Sequence, residues 1–208
     1  MMYKLSKLLY LLFLIYMGWF QAVFFPVPMM PIILGGGMVI LLILSKLTSR
    51  SNNLFVIPKP IIIWFIFFVY IVFSGIIVAY NYNQTLKSAF SFMQNLILIF
   101  FVVNVTNIDD DNSFFIKSYL GLSILIMITM LSFGYIGGGE RIRLSVTTNP
   151  NGDALMLLYG VFCSLILIKE RKLLNFIFTT GLIGLFIYTI ILTGSRKSVV
   201  AVLMLLIL

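Results

Sequence analysis

Histidine is absent from this chain, and cysteine occurs only once, as Cys163 within an apolar run. A single cysteine cannot form an internal disulfide, and without histidine the Cys and His clusters that bind structural zinc are excluded. Acidic residues are also few: only six Asp and Glu occur among the 208 residues, and Asp109, Asp110 and Asp111 are consecutive. We therefore expect no metal site and no other cofactor.

Charged residues of both signs make up only 10% of the chain, whereas hydrophobic residues make up 62%. Soluble domains average roughly half apolar and about a quarter charged residues, so a soluble fold could not bury this much apolar surface. The net charge of +8 does not indicate nucleic-acid binding, because the Lys and Arg residues are scattered between apolar runs. The composition predicts a membrane protein and excludes a nucleic-acid partner.

Apolar runs without Asp, Glu, Lys or Arg divide the chain into units that match the roughly 20 residues needed to span a bilayer. Such runs must be helices, since lipid leaves an open strand edge unpaired. An eighth run, 199–208, covers only about half a bilayer. The sequence predicts an all-α, polytopic transmembrane helix bundle with seven full spans and a truncated eighth. We expect one transmembrane domain over residues 1–208, as the amino-terminal part of a longer protein. The seven full runs lie at about 8–25, 30–45, 60–80, 88–106, 118–136, 154–168 and 173–193.

Basic residues are distributed unevenly between the two ends of these spans. With a cytoplasmic amino terminus, nine of the 14 Lys and Arg residues fall at inner ends and five at outer ends. This bias follows the positive-inside rule, and the inverted topology would reverse it. The inner group contains Lys4, Lys7, Lys46, Arg50, Lys59, Lys117, Lys169, Arg171 and Lys172, and the outer group contains Lys87, Arg141, Arg143, Arg196 and Lys197.

Two outer segments carry arginine against this bias: GGGERIRLSVTTNPNGD, residues 137–153, and TGSRKS, residues 193–198. Arginine is costly near hydrocarbon, and its planar fork matches phosphate oxygens, so this placement indicates an anionic ligand. In an extended segment Arg141 and Arg143 would point the same way and could hold one diphosphate. The alternative is a pair of solvated loop charges with Glu140 as their local partner.

Helix starts provide the other candidate groups. If the eighth span begins at Ser195, its free backbone amides and Arg196 would face the same anion, although Arg196 could instead anchor the helix at the interface. Asn149, Pro150 and Asn151 are typical of a helix entry, and capping alone explains the string. A second hypothesis is that Asn151 binds sugar hydroxyls.

The strings RIRLSVTTNPNGDALMLLYG and LTGSRKSVVAVLML, separated by one helical hairpin, resemble the O-antigen ligase and O-antigen polymerase superfamily of bacterial envelopes. The likeness covers about residues 135–208, and its matching positions are Arg143, Pro150 with Asn151, and Ser195 with Arg196. It implies a metal-independent glycosyltransferase of capsule or O-antigen polysaccharide biosynthesis, located in the bacterial inner membrane. The implied partners are an undecaprenyl-diphosphate-linked oligosaccharide, membrane lipid and other polysaccharide-assembly membrane proteins.

This resemblance implies that Arg143 and Arg196 are catalytic and stabilise the leaving diphosphate, while Arg141, Asn151 and Ser195 bind substrate. We favour a polymerase of repeat units, because a composition rich in Ile, Lys, Asn and Phe is typical of capsule gene products. A ligase that transfers polysaccharide to a lipid or wall acceptor is the first alternative. A polysaccharide transporter or flippase and a non-catalytic membrane fragment are the others, although the seven runs contain none of the buried carboxylates that ion-coupled carriers use.

Overall fold

The structure is a computed structural model, and it describes residues 2–24, 27, 29–48, 55–78, 82–109, 112–136, 141–167 and 173–207. Helix dominates these residues, which confirms the predicted helical class. The described elements in chain order are α1 (Met2–Val23), α2 (Met30–Thr48), α3 (Lys59–Val78), α4 (Tyr82–Asp109), α5 (Ser113–Phe133), β1 (Tyr135–Ile136), β2 (Ile142–Arg143), α6 (Pro150–Leu167), α7 (Leu173–Leu192) and α8 (Arg196–Ile207).

Four of the described helices, α1, α2, α5 and α6, are long and apolar enough to cross a membrane. Shorter apolar helical stretches occur at Lys59–Gly75, Phe92–Thr106 and Phe176–Leu192. Length and composition therefore support membrane-spanning helices, while the count of seven full spans and a truncated eighth stays a prediction.

The chain divides into two compact units. Unit 1 contains Met1–Phe13 and Met29–Asn112, and unit 2 contains Leu14–Pro28 and Ser113–Leu208. Both candidate arginine segments belong to unit 2. The prediction of a single transmembrane domain over residues 1–208 stays a prediction.

Asn104 in α4 organises one end of unit 1, where its side chain is fully buried. Its Oδ1 accepts hydrogen bonds from the Val56 amide at 3.0 Å and from Lys46 Nζ at 3.1 Å, and its Nδ2 donates to the Val56 carbonyl oxygen at 3.0 Å. The Tyr3 hydroxyl donates to the Val105 carbonyl oxygen at 3.2 Å. These bonds group the start of α1, the end of α2 and the residues just before α3 beside the end of α4.

Several lysines lie on the elements that meet at this end of unit 1. Lys4 is in the first turns of α1, Lys46 is in the last turn of α2, and Lys59 begins α3. The predicted topology requires these three residues to share one end. The cytoplasmic location of that end stays a prediction.

Unit 2 is built on close packing between α5, α6 and α7. Gly160 in α6 is buried, and a methyl group in its place would lie 2.7 Å from both Phe186 Cζ and Ser123 Cβ. The Ser123 hydroxyl donates a hydrogen bond to the Met156 carbonyl oxygen at 2.9 Å. Small residues at such contacts let membrane helices approach closely, which brings the loops at their ends together.

The last residues of the fifth predicted span, 118–136, are not helical. The final helical hydrogen bond runs from the Gly134 amide to the Met130 carbonyl oxygen at 3.0 Å. Strand β1 then pairs antiparallel with β2, with Tyr135 opposite Arg143 and Ile136 opposite Ile142. The hydropathy pattern did not predict this change from helix to strand, because apolar side chains occur in both.

Candidate functional site

The β1–β2 hairpin carries the first arginine segment. Leu144 is buried in the core of unit 2, and Ile142 packs against that core. Arg141 and Arg143 alternate with these apolar residues along an extended stretch, so the core contacts of Ile142 and Leu144 hold the two arginines at the surface of the unit.

The two arginines of this segment have different surroundings. Arg141 is exposed, whereas Arg143 is half-buried and its Nε is enclosed without a hydrogen-bond partner among the described residues. A buried polar atom normally has a partner, because water removed from it must be replaced. The Nε of Arg143 is therefore an unsatisfied donor enclosed within the protein, with almost no surface of its own for a ligand to contact.

Asp153, in the first turn of α6, holds the loop that follows Arg143. Its carboxyl is nearly buried, with 7% of the residue exposed. One oxygen, Oδ2, accepts hydrogen bonds from the Leu144 amide at 2.9 Å and from the Thr148 hydroxyl at 2.8 Å. Asp153 thus joins the start of α6 to the backbone directly after Arg143.

The start of α6 has the capping geometry that the sequence predicts. Asn149 Oδ1 accepts a hydrogen bond from the Asn151 amide at 3.0 Å, and the Asn149 carbonyl oxygen accepts bonds from the Gly152 and Asp153 amides at 2.9 and 3.0 Å. The Asn151 and Gly152 amides belong to the first turn and have no partner four residues earlier within the helix, so Asn149 caps both, whereas the Asp153 amide makes the first regular helical bond. The Asn151 residue itself is exposed.

The second arginine segment forms a tight turn between α7 and α8. Gly194 has a φ of +64°, a left-handed conformation that favours glycine, and its amide donates to the Ile191 carbonyl oxygen at 2.9 Å. Ser195 follows, is buried, and its hydroxyl lies 3.0 Å from the Ser198 hydroxyl. Helix α8 then begins at Arg196, one residue after the Ser195 start considered in the sequence analysis, and Arg196 is exposed.

The two arginine segments meet at Gly194. A methyl group on Gly194 would lie 3.0 Å from Nε and 3.2 Å from Cγ of Arg141, so the Arg141 side chain lies against this glycine. Segments that are about 50 residues apart in the chain therefore share one end of unit 2.

Comparisons with known protein families, curated proteins and solved structures find no match for this chain. The resemblance to the O-antigen ligase and polymerase superfamily therefore stays a prediction.

The structure brings together some of the predicted site residues. Arg141 lies against the turn that precedes Ser195, and the Leu144 amide directly after Arg143 donates to Asp153. The ligand roles of Arg141, Arg143, Asn151, Ser195 and Arg196 stay predictions. Glu140, the proposed local partner of the arginines, lies outside the described residues. Within the described part of the chain, no three His, Cys, Asp or Glu residues form a group that could hold a metal ion.

Sequence reasoning missed the role of Asp153. The residue stands in the first turn of a helix, where a carboxylate is favoured by the positive helix end, and that explanation accounts for the local pattern. Its hydrogen-bond partners are instead a backbone amide nine residues earlier and a hydroxyl five residues earlier. The string of Ser, Thr and Asn before α6 was the available signal, because such residues commonly form side-chain bonds within loops.

Proposed function

We propose that this chain is a polymerase of undecaprenyl-diphosphate-linked oligosaccharide repeat units in capsule or O-antigen synthesis. The observation that carries the proposal is the contact of Arg141 with Gly194, which joins the two arginine segments at one end of unit 2. Arginines at one end of an apolar helix bundle suit a lipid-linked anion, because arginine holds phosphate oxygens in a fixed fork.

In the proposed reaction an acceptor hydroxyl attacks the anomeric carbon of the donor sugar. A new bond forms between that carbon and the acceptor oxygen, and the bond between the carbon and the diphosphate oxygen breaks. The lipid diphosphate leaves with the electron pair, and the acceptor proton passes to a base. The negative charge that grows on the leaving group is the quantity that the site must stabilise.

Arg143 and Arg196 are the proposed catalytic ligands of that leaving group, with Arg141 as a further diphosphate ligand. The half-buried position of Arg143 supports this assignment, because a partly enclosed guanidinium interacts more strongly with an anion than a fully solvated one does. Ser195 would bind substrate at the start of α8, where free backbone amides favour anions, and Asn151 would bind sugar hydroxyls through its exposed side chain.

The proposal places the chain in the bacterial inner membrane as a multi-pass protein with a cytoplasmic amino terminus, seven full spans and an eighth begun by α8. Four helices of sufficient length and three shorter apolar ones support this count. The grouping of Lys4, Lys46 and Lys59 at one end of unit 1 supports the orientation, because lysines of one membrane side must share an end.

The experiment is sugar transfer by the full-length protein in nanodiscs, with an undecaprenyl-diphosphate-linked repeat unit as donor. Arg143→Lys and Arg196→Lys keep the charge but lose the fork, and we expect each to reduce turnover by about tenfold or more. Lys197→Ala is the matched control, because it removes a neighbouring exposed cation from the same turn.

Full turnover in both arginine variants would show that the arginines are interfacial anchors. The acceptor distinguishes polymerase from ligase: a second lipid-linked repeat should be extended by a polymerase, whereas a ligase transfers to a lipid or wall acceptor alone. Lipid-linked donor that crosses the bilayer without any new glycosidic bond would indicate a transporter.

A further inference from the structure

Arg143 gives the proposed diphosphate site a donor whose direction is determined by the loop behind it. The guanidinium can contact the diphosphate in one fixed geometry only if the backbone at Arg143 is fixed. A misplacement of about 1 Å can strongly lower the rate of the catalysed reaction. Strand β2 fixes one side of this backbone through its pairing with β1. The other side, from Leu144 onward, has left the strand.

We propose that Asp153 is the positioning residue of this site and fixes Arg143 by holding the Leu144 amide and the Thr148 hydroxyl on a single carboxyl oxygen. The inference rests on the proposed function, since it assumes that Arg143 binds diphosphate. Asp153 itself is buried within the start of α6 and touches protein groups, so it acts through Arg143.

The loop geometry explains why one carboxyl can do this. Thr148 is held a second time, because its hydroxyl oxygen also accepts a hydrogen bond from the Ser145 amide at 3.1 Å. Asp153 therefore ties a closed loop, Leu144 to Thr148, to the rigid start of a helix. A rigid second layer of this kind keeps a ligand-binding side chain in its productive orientation.

Both hydrogen bonds go to the same oxygen, Oδ2, and this feature gives a selective test. Asp153→Asn can keep both bonds on its amide oxygen, whereas Asp153→Ala loses both. Thr148→Val changes the shape little, and it removes the bond to Asp153 together with the bond that the Thr148 hydroxyl accepts from the Ser145 amide. Thr147→Val is its matched control, since the Thr147 hydroxyl is exposed and bonds to the Ser145 hydroxyl at 3.1 Å.

Binding of farnesyl diphosphate to the full chain in nanodiscs is measured by calorimetry, in the natural sequence and in Arg143→Ala. We expect Asp153→Ala to weaken binding by about tenfold, Thr148→Val by about threefold, and Asp153→Asn and Thr147→Val by less than about twofold. In the Arg143→Ala background, where Arg141 and Arg196 remain, Asp153→Ala should have no further effect, because residues that act as one unit are not additive.

Natural affinity in both Asp153→Ala and Thr148→Val would overturn the inference. So would a loss in Asp153→Ala that persists in the Arg143→Ala background, since that result indicates a general loss of structure. If Asp153→Ala does not fold, the affinity of Thr148→Val is compared with and without Arg143→Ala. Natural affinity in Thr148→Val, or a loss that persists beside Arg143→Ala, would then overturn the inference. Natural affinity in Arg143→Ala itself would instead overturn the proposed function, and this inference with it.

Discussion

Gly160 allows a direct test of the packing that brings the two arginine segments together. In Gly160→Ala the new methyl would lie 2.7 Å from Phe186 Cζ on α7 and 2.7 Å from Ser123 Cβ on α5. The two obstacles belong to different helices, so relief at one contact increases crowding at the other. Overpacking of this kind costs about 1–3 kcal/mol.

Gly184→Ala in α7 is the matched control, because nothing lies within 4 Å of the added methyl. Both substitutions gain the same helix preference, so the difference between the two variants isolates the steric cost. The chain contains its own reporter, Cys163, a single buried thiol one turn beyond Gly160. Its labelling by a thiol-reactive dye measures opening of unit 2.

We expect Gly160→Ala to raise the labelling rate of Cys163 by about 5- to 150-fold relative to Gly184→Ala, which is the range that 1–3 kcal/mol represents. Equal labelling rates in the two variants would refute the packing described for α5, α6 and α7.

Three further predictions concern topology, the polar contacts of unit 1 and metal. In a Cys163→Ser background, a cysteine at the exposed position Thr147 should react with an impermeant thiol reagent added outside, whereas a cysteine at the exposed position Lys59 should not. Labelling at Lys59 but not at Thr147 would show that the topology is inverted. Asn104→Leu should destabilise unit 1 by about 1–3 kcal/mol, because the Val56 backbone loses its hydrogen-bond partner. Proteolysis between α2 and α3 should therefore be faster in this variant than in the control Asn112→Leu, which changes an exposed residue. Sugar transfer should continue in EDTA, and a loss that magnesium restores would indicate a metal-dependent transferase.

Local signals in the sequence predicted the helix boundaries near the candidate site. Asn149 before Pro150 indicated a helix start, and the structure has its side chain on the Asn151 amide. Gly194 and Ser195 indicated that one helix ends there and another begins, and the positive φ of Gly194 forms that break. Such signals succeed because a cap or a left-handed turn depends on residues that are adjacent in the chain.

Contacts between distant segments could not be predicted in this way. Asn104 bonds to Val56, which is 48 residues earlier, and Arg141 lies against Gly194, beyond two intervening helices. Hydropathy places such residues in helices or loops but does not say which helix ends meet. The bond from Leu144 to Asp153 depends likewise on how the chain folds back after the hairpin.

The most direct test of the central claim is a cryo-electron microscopy structure of the full-length protein with a bound undecaprenyl-diphosphate-linked sugar. The proposed function predicts that the diphosphate lies within hydrogen-bonding distance of Arg143 and Arg196. A diphosphate bound instead beside the lysines at the Asn104 end of unit 1, with Arg143 unoccupied, would contradict the proposed site and the reaction assigned to it.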